Sequence, residues 1–83
     1  MANTVTDVSH IPLVDCRGLL CPLPIVKVRL KLNLLQKGDE ILILADDPVF
    51  ATDFKRFCYL ASLSILASEK TPEYQAYHVQ VTL

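Results

Sequence analysis

An α/β fold, a two-layer sandwich in the order β-α-β-α-β-β, follows from three features of the 83-residue sequence. Apolar residues recur at helical spacing in two stretches. Four other stretches are short and either continuously apolar or alternating. Pro, Gly and Asp punctuate the boundaries between them. Two helices packed on one face of a four-stranded sheet would cover the core.

Residues 1–10 are mostly polar, have no clear period, and read as a flexible N-terminal tail. Residues 11–83 then form a single domain, since the chain is long enough for one and not two. Ile11 to Asp15 is a short apolar stretch suited to a first strand, and Gly18 suits the turn after it. Pro22 to Lys37 reads as a helix with Ile25, Val28, Leu32 and Leu35 on one face, closed by Lys37 and Gly38. Ile41 to Ala45 is a continuous apolar run with the length of a buried strand. Asp47 is a good N-cap and Pro48 fits a first helical position, so a second helix is expected over about 49–62. Its apolar side is Phe50, Phe54, Phe57, Cys58 and Ala61. Leu63 to Ala67 begins a third strand, and Thr71-Pro72-Glu73 is a turn. Tyr74 to Leu83 alternates, with Tyr77, Val79, Val81 and Leu83 on one face.

Composition narrows the function. Hydrophobic residues make up 52% of the chain, enough for a packed core and against disorder. Net charge is −1, so the basic excess of a direct nucleic-acid binder is missing. No apolar run approaches the roughly 18 residues of a membrane span. The N-terminus lacks the basic and apolar regions of a signal peptide, which points to the cytoplasm. Three cysteines, Cys16, Cys21 and Cys58, are too few and odd in number for a disulfide scaffold. Free thiols in a reducing compartment are either small buried hydrophobes or nucleophiles.

The informative stretch is Gly18-Leu19-Leu20-Cys21-Pro22-Leu23-Pro24. It places Cys21 at the N-cap of the first helix, with Pro22 and Pro24 in the first turn. A helix start leaves four amides unpaired, and the prolines remove two of them. The Leu23 amide is then placed to reach the sulfur. A helix N-terminus favours the anion and lowers thiol pKa values. Arg17, Lys27 and Arg29 are near in sequence and would add to that field. A residue before proline avoids the α region, so Leu23 leaves a second register open. In it the helix starts at Pro24 and Cys21 stands just outside. Taken by itself, a Cys-Pro pair is more often structural than functional.

The run Val14 to Pro24 (VDCRGLLCPLP) resembles the signature of the TusA/SirA-like sulfur carriers, and the likeness extends over about 12–83. Gly38, the Ala45-Asp46-Asp47-Pro48 run and Phe57-Cys58 fall where that family has them. The resemblance implies the same two-layer sandwich. It also implies a carrier that accepts sulfane sulfur as a persulfide on Cys21, with Pro22 and Pro24 as the motif prolines and Gly18 and Leu23 in support. Sulfur would come from a cysteine desulfurase or a rhodanese-like donor and pass to a downstream acceptor protein. Destinations in the family include tRNA thiolation and sulfur oxidation. No cofactor is implied, and the protein would be a relay more than a classical enzyme.

Val26, Leu30 and Leu34 depart from the family pattern as a second apolar stripe on the first helix. They read either as a partner or self-association surface or as scattered surface residues. Cys16 is a possible second thiol, which opens a redox reading with Cys21, though a strand-end thiol without a role is favoured. A regulatory interaction domain with an idle Cys21 is a third reading. Cys58 is expected in the core. His10 and His78 lack the paired short spacings of a zinc site, so no metal is expected. His78 fits an outward position of the last strand. Donor, acceptor, end product and oligomeric state stay open at this level.

Overall fold

The computed structural model describes residues 11–82. The expected tail over residues 1–10, His10 included, and Leu83 lie outside them. The elements are β1 (Leu13–Asp15), α1 (Leu23–Leu32), β2 (Glu40–Ala45), α2 (Phe50–Ala61), β3 (Leu63–Lys70) and β4 (Gln75–Val81). They form one four-stranded sheet in the order β1-β2-β4-β3. β1 pairs parallel with β2, and β4 lies antiparallel to both β2 and β3. The β-α-β-α-β-β order and the two-layer α/β arrangement are those expected from the pattern of the sequence.

Strand alternation decides which face holds the core. Ile41, Ile43 and Ala45 of β2 are buried, while Leu42 and Leu44 between them are only half-buried. Ile41 pairs with Val79 and Ile43 with Tyr77, so β4 extends the same buried face. Val14, Val28, Phe50, Phe54, Phe57, Cys58 and Leu63 complete the cluster. The densest part is aromatic. The Phe50 and Phe54 rings stack with centroids 5.0 Å apart, and Tyr77 tilts against Phe54 at 5.0 Å. Ile25, Leu32 and Leu35 pack at the margin of this cluster, as their spacing predicted. The opposite face carries His78 hydrogen-bonded to Glu40 at 2.6 Å, so His78 does take the outward position.

Several boundaries move. α1 ends at Leu32, five residues before Lys37, and Leu34 and Leu35 close tighter turns onto Lys31 O and Leu32 O. Leu34 therefore lies beyond the helix, and the second stripe is helical only at Val26 and Leu30. α2 starts at Phe50, so Val49 and not Asp47 is its cap, and Pro48 precedes the helix. The physical reason is that the Asp47 carboxylate takes the Val49 amide in a local turn and points its other oxygen elsewhere. α2 ends in Ser62, at φ 59°, and β3 follows immediately. β3 runs on to Lys70, with Leu66 as an extra residue between the Ile65–Val79 and Ala67–His78 pairs.

Phe54→Ala removes the centre of the aromatic cluster and is expected to destabilise the fold by about 3–5 kcal/mol. Tyr59→Ala, at a position 86% exposed, is expected to shift stability by no more than about 0.5 kcal/mol. Urea denaturation of the two variants checks both, and similar midpoints would contradict the core placement.

Candidate functional site

Cys21 is exposed, whereas Cys16 and Cys58 are buried. It sits in the loop between β1 and α1, two residues before the helix. Its peptide bond to Pro22 is cis. Pro22 caps α1 and its carbonyl accepts from Val26, while Pro24 is buried beneath the first turn. The second register of the sequence is thus close to the observed one. Cys21 stands outside the helix, near its amino end.

Two carboxylates of the β2–α2 joint hold this loop. Asp46 accepts the Gly18 amide through both oxygens, at 3.0 and 3.1 Å. Gly18 has φ 83°, a left-handed conformation that glycine adopts without a Cβ penalty. Asp47 Oδ2 accepts the Cys21 amide at 2.7 Å. Asp47 is itself 5% exposed. Its carbonyl accepts from Gln75 Nε2 at 3.1 Å, and Gln75 Oε1 accepts the Tyr77 hydroxyl at 2.8 Å. A buried polar chain therefore runs from the aromatic core to the backbone of Cys21.

The sulfur does not meet the amides expected of it. The Leu23 amide donates to Leu20 O at 2.9 Å. The Cys21 thiol instead donates to Asp53 Oδ2 at 3.3 Å, across to the first turn of α2. The cations near Cys21 in sequence are engaged elsewhere. Arg17 makes a two-pronged pair with Asp15 at 2.9 and 2.8 Å. Lys27 Nζ donates to Asp15 O at 2.7 Å. Arg29 lies over the Phe57 ring, 5.4 Å from its centroid.

The charges acting on Cys21 are consequently acidic, and its thiol is held above the ordinary thiol value. The hydrogen bond to Asp53 is the largest cause, followed by partial desolvation and then repulsion from Asp53 and Asp47. This corrects the expectation of a sulfur kept anionic by the helix end. The resting group is a thiol. Asp53 is the residue that reading along the chain missed. It lies 32 positions away, and no spacing rule links it to Cys21.

The other predicted residues separate cleanly. Leu20 and Leu23 are exposed, at 68% and 53%; Leu60 of α2, which the sequence did not single out, is 73% exposed and lines a shallow hollow with Cys21, Pro22, Ile25, Asp53, Arg56 and Phe57. Val26, Leu30 and Leu34 are exposed as well. Leu30 and Leu34 line a separate groove beside Leu13 and Val14 of β1. Cys16 is fully buried, with its Sγ directed at Pro24 O at 3.7 Å. Cys58 is packed in the core, and burial pushes its thiol up to about 11. Among the described residues, no group of His, Cys, Asp and Glu could hold a metal ion. No helix among them is long and apolar enough to cross a membrane. A family model described as "Sulfurtransferase TusA" matches residues 13–82.

In the folded protein, iodoacetamide is expected to add once, at Cys21, with Cys16 and Cys58 reacting only in denaturant; peptide mass spectrometry assigns the adducts. The thiolate is the reactive form, so the rate should keep rising as pH passes the ordinary thiol value. A rate already level at neutral pH would contradict the hydrogen bond to Asp53.

Proposed function

Because the chain belongs to the TusA sulfurtransferase family, whose members are sulfur carriers that relay sulfur between protein partners, we propose that Cys21 is the sulfur-bearing residue and holds its cargo as a persulfide. The observation that carries this reading is the contrast among the three thiols. Two are locked in the core, and the third is exposed on a loop whose backbone is held by two carboxylates, the exposed Asp46 and the buried Asp47.

The transfer is a form of thiol–disulfide exchange. The Cys21 sulfur attacks the outer sulfur of a donor protein's persulfide. A new S–S bond forms, the donor's own S–S bond breaks, and the donor cysteine leaves as a thiolate that takes up the proton Cys21 gives up. An acceptor thiolate then attacks the outer sulfur on Cys21 in the same way. Sulfane sulfur keeps its oxidation level throughout, so no redox cofactor enters. The donor in this reading is a cysteine desulfurase or a rhodanese-like protein, and the acceptor is another sulfur-handling protein, as in tRNA thiolation. The setting is the reducing cytoplasm, where a lone exposed thiol stays free.

Each motif residue has a supporting part. Gly18 supplies the left-handed turn that Asp46 grips. Pro22 and buried Pro24 stiffen the approach to α1. Leu23 presents its side chain to solvent on the same short segment as Cys21 and would meet a docking partner. Val26, Leu30 and Leu34 extend an exposed apolar surface along α1 and its end, suited to a partner or a second copy. The redox reading has less support, because a fully buried Cys16 is poorly placed to resolve an oxidised Cys21.

Incubation with a cysteine desulfurase and free cysteine is expected to add one sulfur to Cys21, seen by intact mass, removed by reductant and absent in Cys21→Ser. A loss of two hydrogens shared by Cys16 and Cys21 would favour the redox module, and no change at all would favour an interaction domain. Replacing Leu30 and Leu34 together by Lys is expected to weaken partner-dependent transfer or self-association while leaving loading from a small persulfide intact. Unchanged association and unchanged transfer would remove the stripe from the mechanism.

A further inference from the structure

The carboxylate opposite the sulfur has a chemical consequence for the carrier reading, on which the following rests. The empty and loaded forms of Cys21 present different groups to Asp53. In the empty form the thiol donates a hydrogen bond to Asp53 Oδ2 at 3.3 Å. In the loaded form the outer sulfur takes the valence of that donated proton. A hydropersulfide is a stronger acid than its parent thiol, so at neutral pH this outer sulfur carries a negative charge. The same oxygen that stabilised the empty carrier then faces an anion.

We propose that Asp53 sets the sulfur-transfer equilibrium of Cys21, favouring the empty thiol over the loaded persulfide and so making the protein a weak holder and a ready donor.

The exchange balances without any further reagent. Cys21–SH and R–S–S⁻ give Cys21–S–S⁻ and R–SH. One S–S bond breaks and one forms, the charge passes to the protein, and the proton leaves Cys21 for the departing thiolate. Asp53 Oδ2 is in place to accept that proton on the way. Discharge to an acceptor thiol, which leaves as the persulfide, is the same reaction reversed, and repulsion by the carboxylate favours it.

Asp53 is the charged group that the sulfur itself contacts. The segment carrying Cys21, from Leu19 to Val26, has no charged side chain. α2 contributes Asp53 and Arg56 to the hollow around the sulfur. The β2–α2 joint contributes Asp47, whose oxygens are taken by the Cys21 and Val49 amides. Asp53 also lies in the first turn of α2, where a carboxylate complements the helix dipole. That structural role alone would leave the chemistry of Cys21 unmoved, which is what an experiment can separate.

The full chain is equilibrated at neutral pH with glutathione persulfide and glutathione in varied ratio, and the loaded fraction is read by intact mass. Asp53→Asn keeps the shape and removes the charge. Its loading constant is expected to exceed that of the unmodified protein by roughly fivefold, the effect of one unit charge at about 4 Å in water. Its thiol should also be alkylated faster at neutral pH. Asp53→Glu should fall back toward the original values. If Asp53→Asn fails to fold, as judged by circular dichroism, Asp53→Ser serves the same comparison. Equal or weaker loading in a folded, charge-free variant overturns the inference while leaving the carrier role standing. An unmodified protein that takes no sulfur on Cys21 overturns the carrier role itself.

Discussion

The hydrogen bond from the Cys21 amide to the Asp47 carboxylate joins the two halves of the molecule at the site. Asp47 belongs to the joint between β2 and α2, while Cys21 belongs to the loop between β1 and α1. The carboxylate is buried, and burying an unsatisfied polar group of this kind is costly, on the order of 1–3 kcal/mol. It is satisfied by the two amides it accepts, and its backbone carbonyl is held by Gln75, which in turn is held by Tyr77. Tyr77 packs on Phe50 and Phe54. The position of the reactive loop is thereby tied to the ring packing at the centre of the core. Asp46, itself exposed, holds the Gly18 amide at the outer edge of the loop.

The electrostatics of this arrangement run against a simple activated thiol. A helix amino end nearby favours an anion, but the sulfur donates to Asp53 and the Cys21 amide donates to Asp47. Arg17, Lys27 and Arg29 are spent on Asp15 and on the Phe57 ring. A sulfur carrier has to accept sulfur and then give it up. A thiol that rests protonated against a carboxylate suits the second half of that duty.

How far the sequence revealed this depends on the range of each interaction. Period-two and period-3.6 patterns placed all six elements, because burial on one sheet face imposes them locally. The Phe50, Phe54, Phe57 and Cys58 side was readable for the same reason. Helix ends were less so. The stop at Leu32 came before Gly38 because the chain turns tightly at Asn33 and Leu34, and Leu and Lys carry no signal for such a turn. The Asp47 reading recognised a residue that takes a backbone amide ahead of α2 but not its second partner. Its real partners include one 26 positions earlier. Asp53 was invisible for the same reason, since only the packing of α1 beside α2 brings it to Cys21. Motif likeness singled out Cys21 as the candidate. It could not supply the sign of the field around it.

The seclusion of Cys16 and Cys58 has one more effect. A chain with a single reachable sulfur can be cross-linked by oxidation to one other molecule and no further. Such a protein has a bounded set of mixed disulfides: a dimer with itself, or a one-to-one conjugate with whatever thiol it last touched. Disulfide cross-linking of the native fold then ends at a species that one reduction step restores, and never grows into a network.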